Sequence, residues 1–230
     1  MRFLLGLFFV LVAASPLAAA TRTYSVTDFT RIKVEGPFAV TLATNVAPFA
    51  RASGSQRALD RVSLRVEGRT LIIRTDRSAW GGQPDEQAGP VLIAVGTHAL
   101  DQATLAGSGS LAIDRVRGFE FGLSSLGSGA ASVEVVAVDR LRLFAEGAGS
   151  VRVAGATKMF NATLDGPGLI DAAALVARDA SLSASGPASL RAHVTNNAKL
   201  VATGTATITL DGGAACERKV SGSAIVTGCR

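Results

Sequence analysis

The sequence predicts an all-β protein, a right-handed parallel β-helix with coils of about 18–20 residues and an irregular β section before them. The first observation behind this fold class is a glycine that recurs seven times, at steps of 20, 20, 19, 20, 18 and 18 residues. The second is that apolar and polar residues alternate around each glycine, as in a strand with one buried face. The third is the repeat length, which is too short for a propeller blade of about 40 residues. The seven glycines are Gly107, Gly127, Gly147, Gly166, Gly186, Gly204 and Gly222.

Each position of the repeat keeps its chemical character from copy to copy. The second residue after the glycine is always Gly or Ala, which indicates a crowded corner. The fourth residue is always apolar: Leu111, Ala131, Val151, Ile170, Leu190, Ile208 and Val226. A glycine in every copy indicates either a positive φ or a lack of space for a Cβ atom. Because one repeat cannot bury its apolar side alone, we expect the repeats to stack about 4.8 Å apart, with right-handed crossovers.

The first 20 residues have the features of a secretory signal peptide. Arg2 is followed by an apolar run over residues 3–14 and by three alanines at 18–20, so we predict cleavage after Ala20. The mature chain, residues 21–230, is then one domain, with the irregular part at 21–95 and the regular coils at 96–230. No later segment is apolar over enough residues to span a membrane. The sequence therefore predicts an exported protein that is not membrane-spanning.

Charge and cysteine content narrow the possible partners. The 23 basic and 18 acidic residues are scattered and form no basic patch, so we expect no nucleic-acid partner. Two cysteines in an exported chain predict a disulfide, here between Cys216 and Cys229. The bridge would close a loop of about 14 residues around the last glycine and would contribute about 3 kcal/mol. A thiol nucleophile or a metal pair is the alternative, but it lacks a supporting histidine.

The N-terminal third departs from the regular repeat. Gly36 has apolar residues at the same offsets as the later glycines, so it reads as a divergent early corner, and Gly54 reads as a weaker one. Residues 62–73 alternate around a Glu-Gly pair and predict a hairpin. Residues 76–90 are rich in Gly and Pro and predict a long loop. We expect this third to cap the N-terminal end of the β-helix, because terminal units of solenoids are usually atypical.

No catalytic constellation stands out. His98 and His193 are far apart in sequence, and each is best assigned to a surface turn. Asp114 and Glu134 occupy the same position in adjacent copies, seven residues after the glycine. Stacking would place them about 5 Å apart, where they could share a cation or simply be solvated. We expect no cofactor and no enzymatic activity.

Two surface features are candidates for binding. Trp80 lies in the Gly-rich loop, where its ring could stack on a sugar or fill a partner's pocket. The alternative is that Trp80 folds back and covers the end of the β-helix. Ser132, Thr209 and Thr227 share one outward position and could form a flat face. Such a face suits broad, weak contacts.

Three segments resemble a known bacterial family. They are Ala-Gly-Ser-Gly-Ser-Leu at residues 106–111, Glu-Gly-Ala-Gly-Ser-Val at 146–151 and Val-Ser-Gly-Ser-Ala at 220–224. Residues 29–36 and 38–40 also look like the start of that family's domain. The family is the "putative auto-transporter adhesin, head GIN domain" family, a bacterial domain of unknown function. The resemblance implies a right-handed β-helix, export and no established enzymatic activity, and it carries no catalytic residues.

These observations lead to one functional hypothesis and two alternatives. The leading hypothesis is a non-enzymatic, adhesin-like module of the periplasm or cell surface that binds glycan, envelope polymer or protein. One alternative is a polysaccharide lyase or hydrolase, because many parallel β-helices cleave acidic polysaccharides. The other is a structural or assembly protein of the envelope whose open edges make oligomers. The sequence leaves the oligomeric state open.

Overall fold

The computed structural model describes residues 20–76 and 89–230, which form a β-solenoid of about 6 turns. The predicted fold class is therefore confirmed. Residues 1–19 of the predicted signal peptide and Trp80 lie outside the described residues, as does most of the predicted loop at 76–90, whereas Ala20 is described. No helix in the described part of the chain is long and apolar enough to cross a membrane.

Sixteen strands and one short helix make up the described chain. They are β1 (Ala20–Tyr24), β2 (Arg31–Glu35), β3 (Ala39–Thr44), β4 (Phe49–Gly54), α1 (Gln56–Asp60), β5 (Val62–Glu67), β6 (Thr70–Thr75), β7 (Leu92–Thr97), β8 (Gln102–Gly107), β9 (Ser110–Gly127), β10 (Ala130–Glu146), β11 (Ser150–Asp165), β12 (Leu169–Gly186), β13 (Ser189–Gly204), β14 (Thr207–Asp211), β15 (Ala215–Gly222) and β16 (Ile225–Thr227).

The long strands β9 to β13 each run once around the solenoid. Each begins just after one repeated glycine and ends at or just before the next, and each pairs in parallel with the strand of the neighbouring coil. The glycine corner divides the coil into two sheets. Sheet A holds the residues that follow the glycine, and sheet B holds those that precede it. Register shifts, such as that between Val133 and Val136, mark the second corner on the far side of the coil.

Both explanations for the repeated glycines, a positive φ and a lack of space for a Cβ atom, apply at the corners. All seven have positive φ values, from 76° at Gly204 to 112° at Gly127. The glycines two places later lack space instead, since a Cβ atom on Gly129 would lie 2.5 Å from the carbonyl oxygen of Gly109 in the coil below. The backbones of adjacent corners also form hydrogen bonds with each other, for example from Ala130 N to Gly109 O at 3.0 Å. Each corner therefore rests directly on the one before it.

The core is a narrow column of stacked aliphatic side chains. The predicted inward position four residues after the glycine is buried in the first six copies. A further inward position, six residues before the glycine, emerges only from the structure. Its residues are Phe121, Leu141, Phe160, Ala180, Ala198 and Cys216. The first three side chains at this position are large and the last three are small.

The N-terminal section supplies two more parallel layers. Strands β2 and β3 flank Gly36, whose backbone lies beneath Gly107, so Gly36 is an early corner as predicted. Strands β6 and β7 pair in parallel with the opposite edges of β2 and β3. The β2–β3 layer is therefore inserted between segments that follow it in sequence.

Antiparallel strands close the N-terminal end. Strand β4 pairs with β7, β1 pairs with β4, and β5 forms the predicted hairpin with β6. The prediction of a corner at Gly54 is wrong. Gly54 ends β4, and the Ser55 hydroxyl then accepts a hydrogen bond from Ala58 N at 3.2 Å and caps α1. This local capping interaction ends the strand without a corner.

The C-terminal end is closed by a disulfide between Cys216 and Cys229, with Cα atoms 5.7 Å apart. The bridge joins β15 to the chain that follows β16, across the last turn. Arg218 of β15 pairs in register with Leu200 but is exposed, so a charged residue occupies a position of β15 that faces inward in the preceding coil. An inward-pointing charge at a sheet edge disfavours the addition of further strands.

Removing the disulfide should loosen the last turn selectively. We expect the double variant Cys216→Ser/Cys229→Ser to increase amide hydrogen exchange in β15 and β16 about a hundredfold, which corresponds to about 3 kcal/mol of lost constraint. Amides of β10 and β11 should keep their protection and serve as an internal control. Unchanged exchange in β15 would show that the bridge does not stabilise this end.

Candidate binding groove

A groove of about 1020 Å³ runs along the outer face of sheet B. A second cavity, on the outer face of sheet A near Leu92, measures about 390 Å³. The walls and floor of the larger groove come from β2, β8 and the second halves of β9 to β12, together with Arg69 of the β5–β6 turn. Several coils therefore contribute to one continuous surface.

The floor of the groove consists of small polar side chains held in register. Ser124 and Thr163 flank Phe144 at one outward position, and Ser183 follows on the next coil. A second row, two residues earlier in each coil, includes Gly122 and Ser181. The first row therefore carries three hydroxyl groups interrupted by Phe144, and the second row carries Arg142 and Asn161 between Gly122 and Ser181.

Two aromatic rings project from this polar surface. Phe119 is 66% exposed and Phe144 is 40% exposed, although both belong to a residue type that is usually buried. The guanidinium carbon of Arg140 lies 5.4 Å from the centre of the Phe119 ring, a cation–π distance. Large exposed rings beside polar residues are typical of binding surfaces.

Arginines dominate the charge around the groove. Glu120 is shared by two of them, with Arg140 Nη1 at 3.2 Å and Arg142 Nη1 at 3.1 Å. Arg31 and Arg69 also line the groove and are exposed. Neither makes an ion pair or a side-chain hydrogen bond with any residue in the described part of the chain. The groove therefore contains two cations that form no ion pair with the residues at 20–76 and 89–230.

The residues predicted to share a cation lie at the second corner, where sheet A ends, and do not line the groove. Asp114 Oδ1 accepts hydrogen bonds from Thr44 N at 3.0 Å and Thr44 Oγ1 at 3.3 Å, so this oxygen faces the preceding coil. Glu134 is exposed. Over residues 20–76 and 89–230, no group of three or more His, Cys, Asp or Glu side chains could hold a metal ion. The shared cation stays a prediction that these contacts do not favour.

The histidines and the carboxylates of Asp28 and Asp179 lie outside the groove. The assignment of His193 to a surface turn is wrong, because His193 lies within β13 and is half-buried. His98 is exposed, and its Nδ1 lies 3.1 Å from Asp28 Oδ1. This hydrogen bond, with a smaller contribution from Thr97, lowers the pKa of Asp28. Hydrogen bonds from Arg178, and then from two asparagine amides, similarly lower the pKa of Asp179. Both carboxyl groups are therefore held as anions and are poorly suited to donate a proton near neutral pH.

The flat face predicted from Ser132, Thr209 and Thr227 is interrupted. The three residues do lie in one outward row of sheet A, but Arg152, Asp171 and Arg191 stand between Ser132 and Thr209. Arg152 Nε lies 3.4 Å from Asp171 Oδ2. The central part of this row is therefore charged rather than uniformly short and polar.

Sequence reasoning missed the groove residues, although one signal was available. Phe144 occupies an outward position at which the adjacent coils carry Ser124 and Thr163. A large aromatic residue in an otherwise hydrophilic row is unexpected for a solvated strand face. The contribution of Arg31 and Arg69 carried no such signal, because only the stacking of the N-terminal layers brings them to the same surface.

Known structures share the fold of this chain at low sequence identity. A crystal structure of a putative adhesin from Bacteroides fragilis NCTC 9343 is 15% identical, covers 93% of this chain and 95% of its own, and superposes with a TM-score of 0.76. A putative lipid binding protein from Parabacteroides distasonis ATCC 8503 is 20% identical, with coverages of 91% and 96% and a TM-score of 0.68. A putative adhesin from Parabacteroides merdae ATCC 43184 is 17% identical, with coverages of 92% and 96% and a TM-score of 0.67.

The family of the chain follows from its sequence. No curated protein matches it. The profile of the family described as "Putative auto-transporter adhesin, head GIN domain" matches residues 28–214, which include both N-terminal parallel layers and most of the regular coils. The resemblance noted in the repeat and in residues 29–40 is thereby confirmed. The chain belongs to the putative auto-transporter adhesin, head GIN domain family.

Proposed function

We propose that the protein is an exported, adhesin-like binding protein that holds a glycan chain in the groove of sheet B. The observation that carries this proposal is the exposure of Phe119 and Phe144 above a floor of hydroxyl and amide side chains. An aromatic ring offers an apolar face to the C–H side of a sugar, while hydroxyl and amide groups bond to its hydroxyls. The family and the adhesin-like neighbours support a binding role.

The alternative of a polysaccharide lyase or hydrolase receives less support from the same groove. A glycosidase needs two carboxyl groups placed to act on one bond. Both oxygens of Glu120 are occupied by arginines, Oε2 by Arg140 and Oε1 by Arg142. Asp101 also lines the groove, on the coil adjacent to that of Glu120. The contacts of Glu120 favour a positioning role over an attack on substrate.

Export and an envelope location are part of the proposal. The disulfide supports an oxidising compartment, since such bridges rarely persist in a reducing cytosol. The adhesin-like family supports the same location. Whether the protein stays in the periplasm or reaches the cell surface is tested by protease treatment of intact cells. Cleavage without lysis indicates the surface, and protection until the outer layer is opened indicates the periplasm.

Loss of the two rings should abolish most glycan binding. We expect Phe119→Ala/Phe144→Ala to weaken binding at least about tenfold to any glycan that a broad array identifies, because buried aromatic contacts dominate binding energy. Isothermal titration with the chain from residue 21 measures the change. Leu92→Ala, which removes an exposed apolar side chain from the opposite face, serves as the matched control and should leave affinity unchanged.

Two results would contradict the proposed function. One is the absence of any glycan ligand on the array when circular dichroism shows folded protein. The other is a glycan affinity that survives the loss of both rings or falls equally with Leu92→Ala.

A further inference from the structure

Two arginines at one end of the groove are held together by the backbone. The amides of Thr30 and Arg31 both donate to the carbonyl oxygen of Arg69, each at 3.1 Å. Arg69 follows Gly68 in the β5–β6 turn, where the chain has a φ of 60°, and Arg31 begins β2. Main-chain contacts therefore hold the backbones of Arg31 and Arg69 next to each other, and both side chains line the same end of the groove.

The arginine pair leaves an excess of positive charge. Among the described residues that line this end of the groove, Arg31 and Arg69 are basic and Asp101 is acidic. Farther along, Arg140 and Arg142 share the single carboxylate of Glu120. Like charges that are held close together repel each other unless an anion lies between them. This surface is therefore electrostatically complementary to a negatively charged ligand.

The shape of the groove specifies a long ligand lying along the solenoid axis. From the β5–β6 turn to Ser183 on β12, the groove crosses seven adjacent strands, which corresponds to six spacings of about 4.8 Å or about 29 Å. The backbone groups of these strands are already paired with neighbours on both sides. An extended peptide would find no free edge here to which it could add as a strand. A chain that binds through side-chain contacts alone fits better.

We infer that the groove selects an acidic, linear polysaccharide, with a sugar carboxylate bound by Arg31 and Arg69 and neighbouring sugars placed over Phe119 and Phe144. This inference rests on the proposed glycan-binding function and specifies its ligand class. A planar carboxylate is the group that the forked guanidinium donors of arginine match best. The hydroxyl-rich floor then contacts the uncharged faces of the chain.

The test compares one acidic glycan with its neutral counterpart. An oligogalacturonate long enough to span the groove, and the same chain with its carboxyl groups reduced to alcohols, are titrated against the full mature chain. We expect the acidic chain to bind at least about tenfold more tightly at low salt, and the difference to shrink as salt is raised. Arg31→Ala/Arg69→Ala should remove this difference while leaving the weaker, ring-dependent binding of the reduced chain.

Two matched variants separate geometry from charge. Arg31→Lys/Arg69→Lys keeps both charges but removes the forked donors, so it should recover only part of the preference. Arg191→Ala removes an exposed cation from sheet A and should preserve the preference in full. A loss of preference with Arg191→Ala would overturn the assignment to Arg31 and Arg69.

The remaining outcomes distinguish the inference from the function on which it rests. Equal binding of the acidic and reduced chains, still lost with the two rings, would overturn the acidic preference and leave the glycan-binding function standing. Binding of a sulfated chain as tightly as the galacturonate would overturn carboxylate selection. Binding of a polyglutamate peptide in place of either glycan, or of nothing by folded protein, would overturn both proposals.

Discussion

Replacing Gly147 by alanine is expected to lower the free energy of unfolding by about 3 kcal/mol or more. Gly147 has a φ of 100°, a conformation that residues with a Cβ atom rarely adopt. An added Cβ would also lie 2.7 Å from the carbonyl oxygen of Gly127 in the adjacent coil. Backbone strain and a backbone clash therefore act together. Urea titration followed by circular dichroism measures the loss.

A second glycine separates these two causes. Gly118, at the opposite corner, has a φ of 143°, but an added Cβ there would meet nothing within 4 Å. Gly118→Ala should therefore cost only the strain, about 1 kcal/mol. If both variants lose the same stability, close stacking of the corners is not what requires glycine. If Gly147→Ala fails to fold while Gly118→Ala folds, the difference has the expected direction.

Truncating Phe160 should be among the most destabilising core substitutions, with a loss of about 3–5 kcal/mol for Phe160→Ala. Phe160 is fully buried and lies between Leu141 and Ala180 in the adjacent coils. Because Ala180 is small and both strands are fixed by their hydrogen-bond registers, the surroundings cannot collapse into the space. The lost contacts and the remaining cavity then both reduce stability. The midpoint of urea unfolding reports the change.

Phe144 provides the control for Phe160. It has the same side chain and belongs to the neighbouring coil, but it points outward into the groove and is 40% exposed. We expect Phe144→Ala to change stability by about 1 kcal/mol or less. A comparable loss in the two variants would contradict the division between core and groove that the register defines.

The glycine corners and the buried face of sheet A were predictable, because the residues that specify them lie next to each glycine and recur in every repeat. Each repeated glycine carries its own flanking alternation, so the inward position occupied by Val151 and Ile170 could be assigned before any pairing was known. The second corner had no such marker. Its length changes from coil to coil, as the register shift between Ala172 and Val176 shows. The buried position of Phe160 lies six residues before Gly166 and continues the alternation that precedes that glycine. It was missed although its offset is the same in every coil.

The N-terminal layers and the groove could not be predicted for a different reason. Strand β2 pairs with β6 and β8, and the residues between them give no periodic signal that specifies these partners. Arg31 and Arg69 meet only through that pairing. A site assembled from outward residues of many coils has no compact sequence motif. Sequence reasoning therefore turned to Trp80 and to Asp114 with Glu134, which were locally conspicuous.

The insertion of the β2–β3 layer between later segments affects the order in which the chain can complete its pairing. In the regular coils, partners such as Ala131 and Val151 are about one repeat apart in sequence. Ile32 and Ala103 are more than three times as far apart. Closing such a long loop costs more chain entropy than adding one coil to the next. Synthesis begins at the N terminus, yet β3 has both of its neighbours only after β7 and the first residues of β9 exist. The β2–β3 layer therefore keeps unpaired strand edges while more than sixty further residues are made. Its correct insertion depends on segments that follow it.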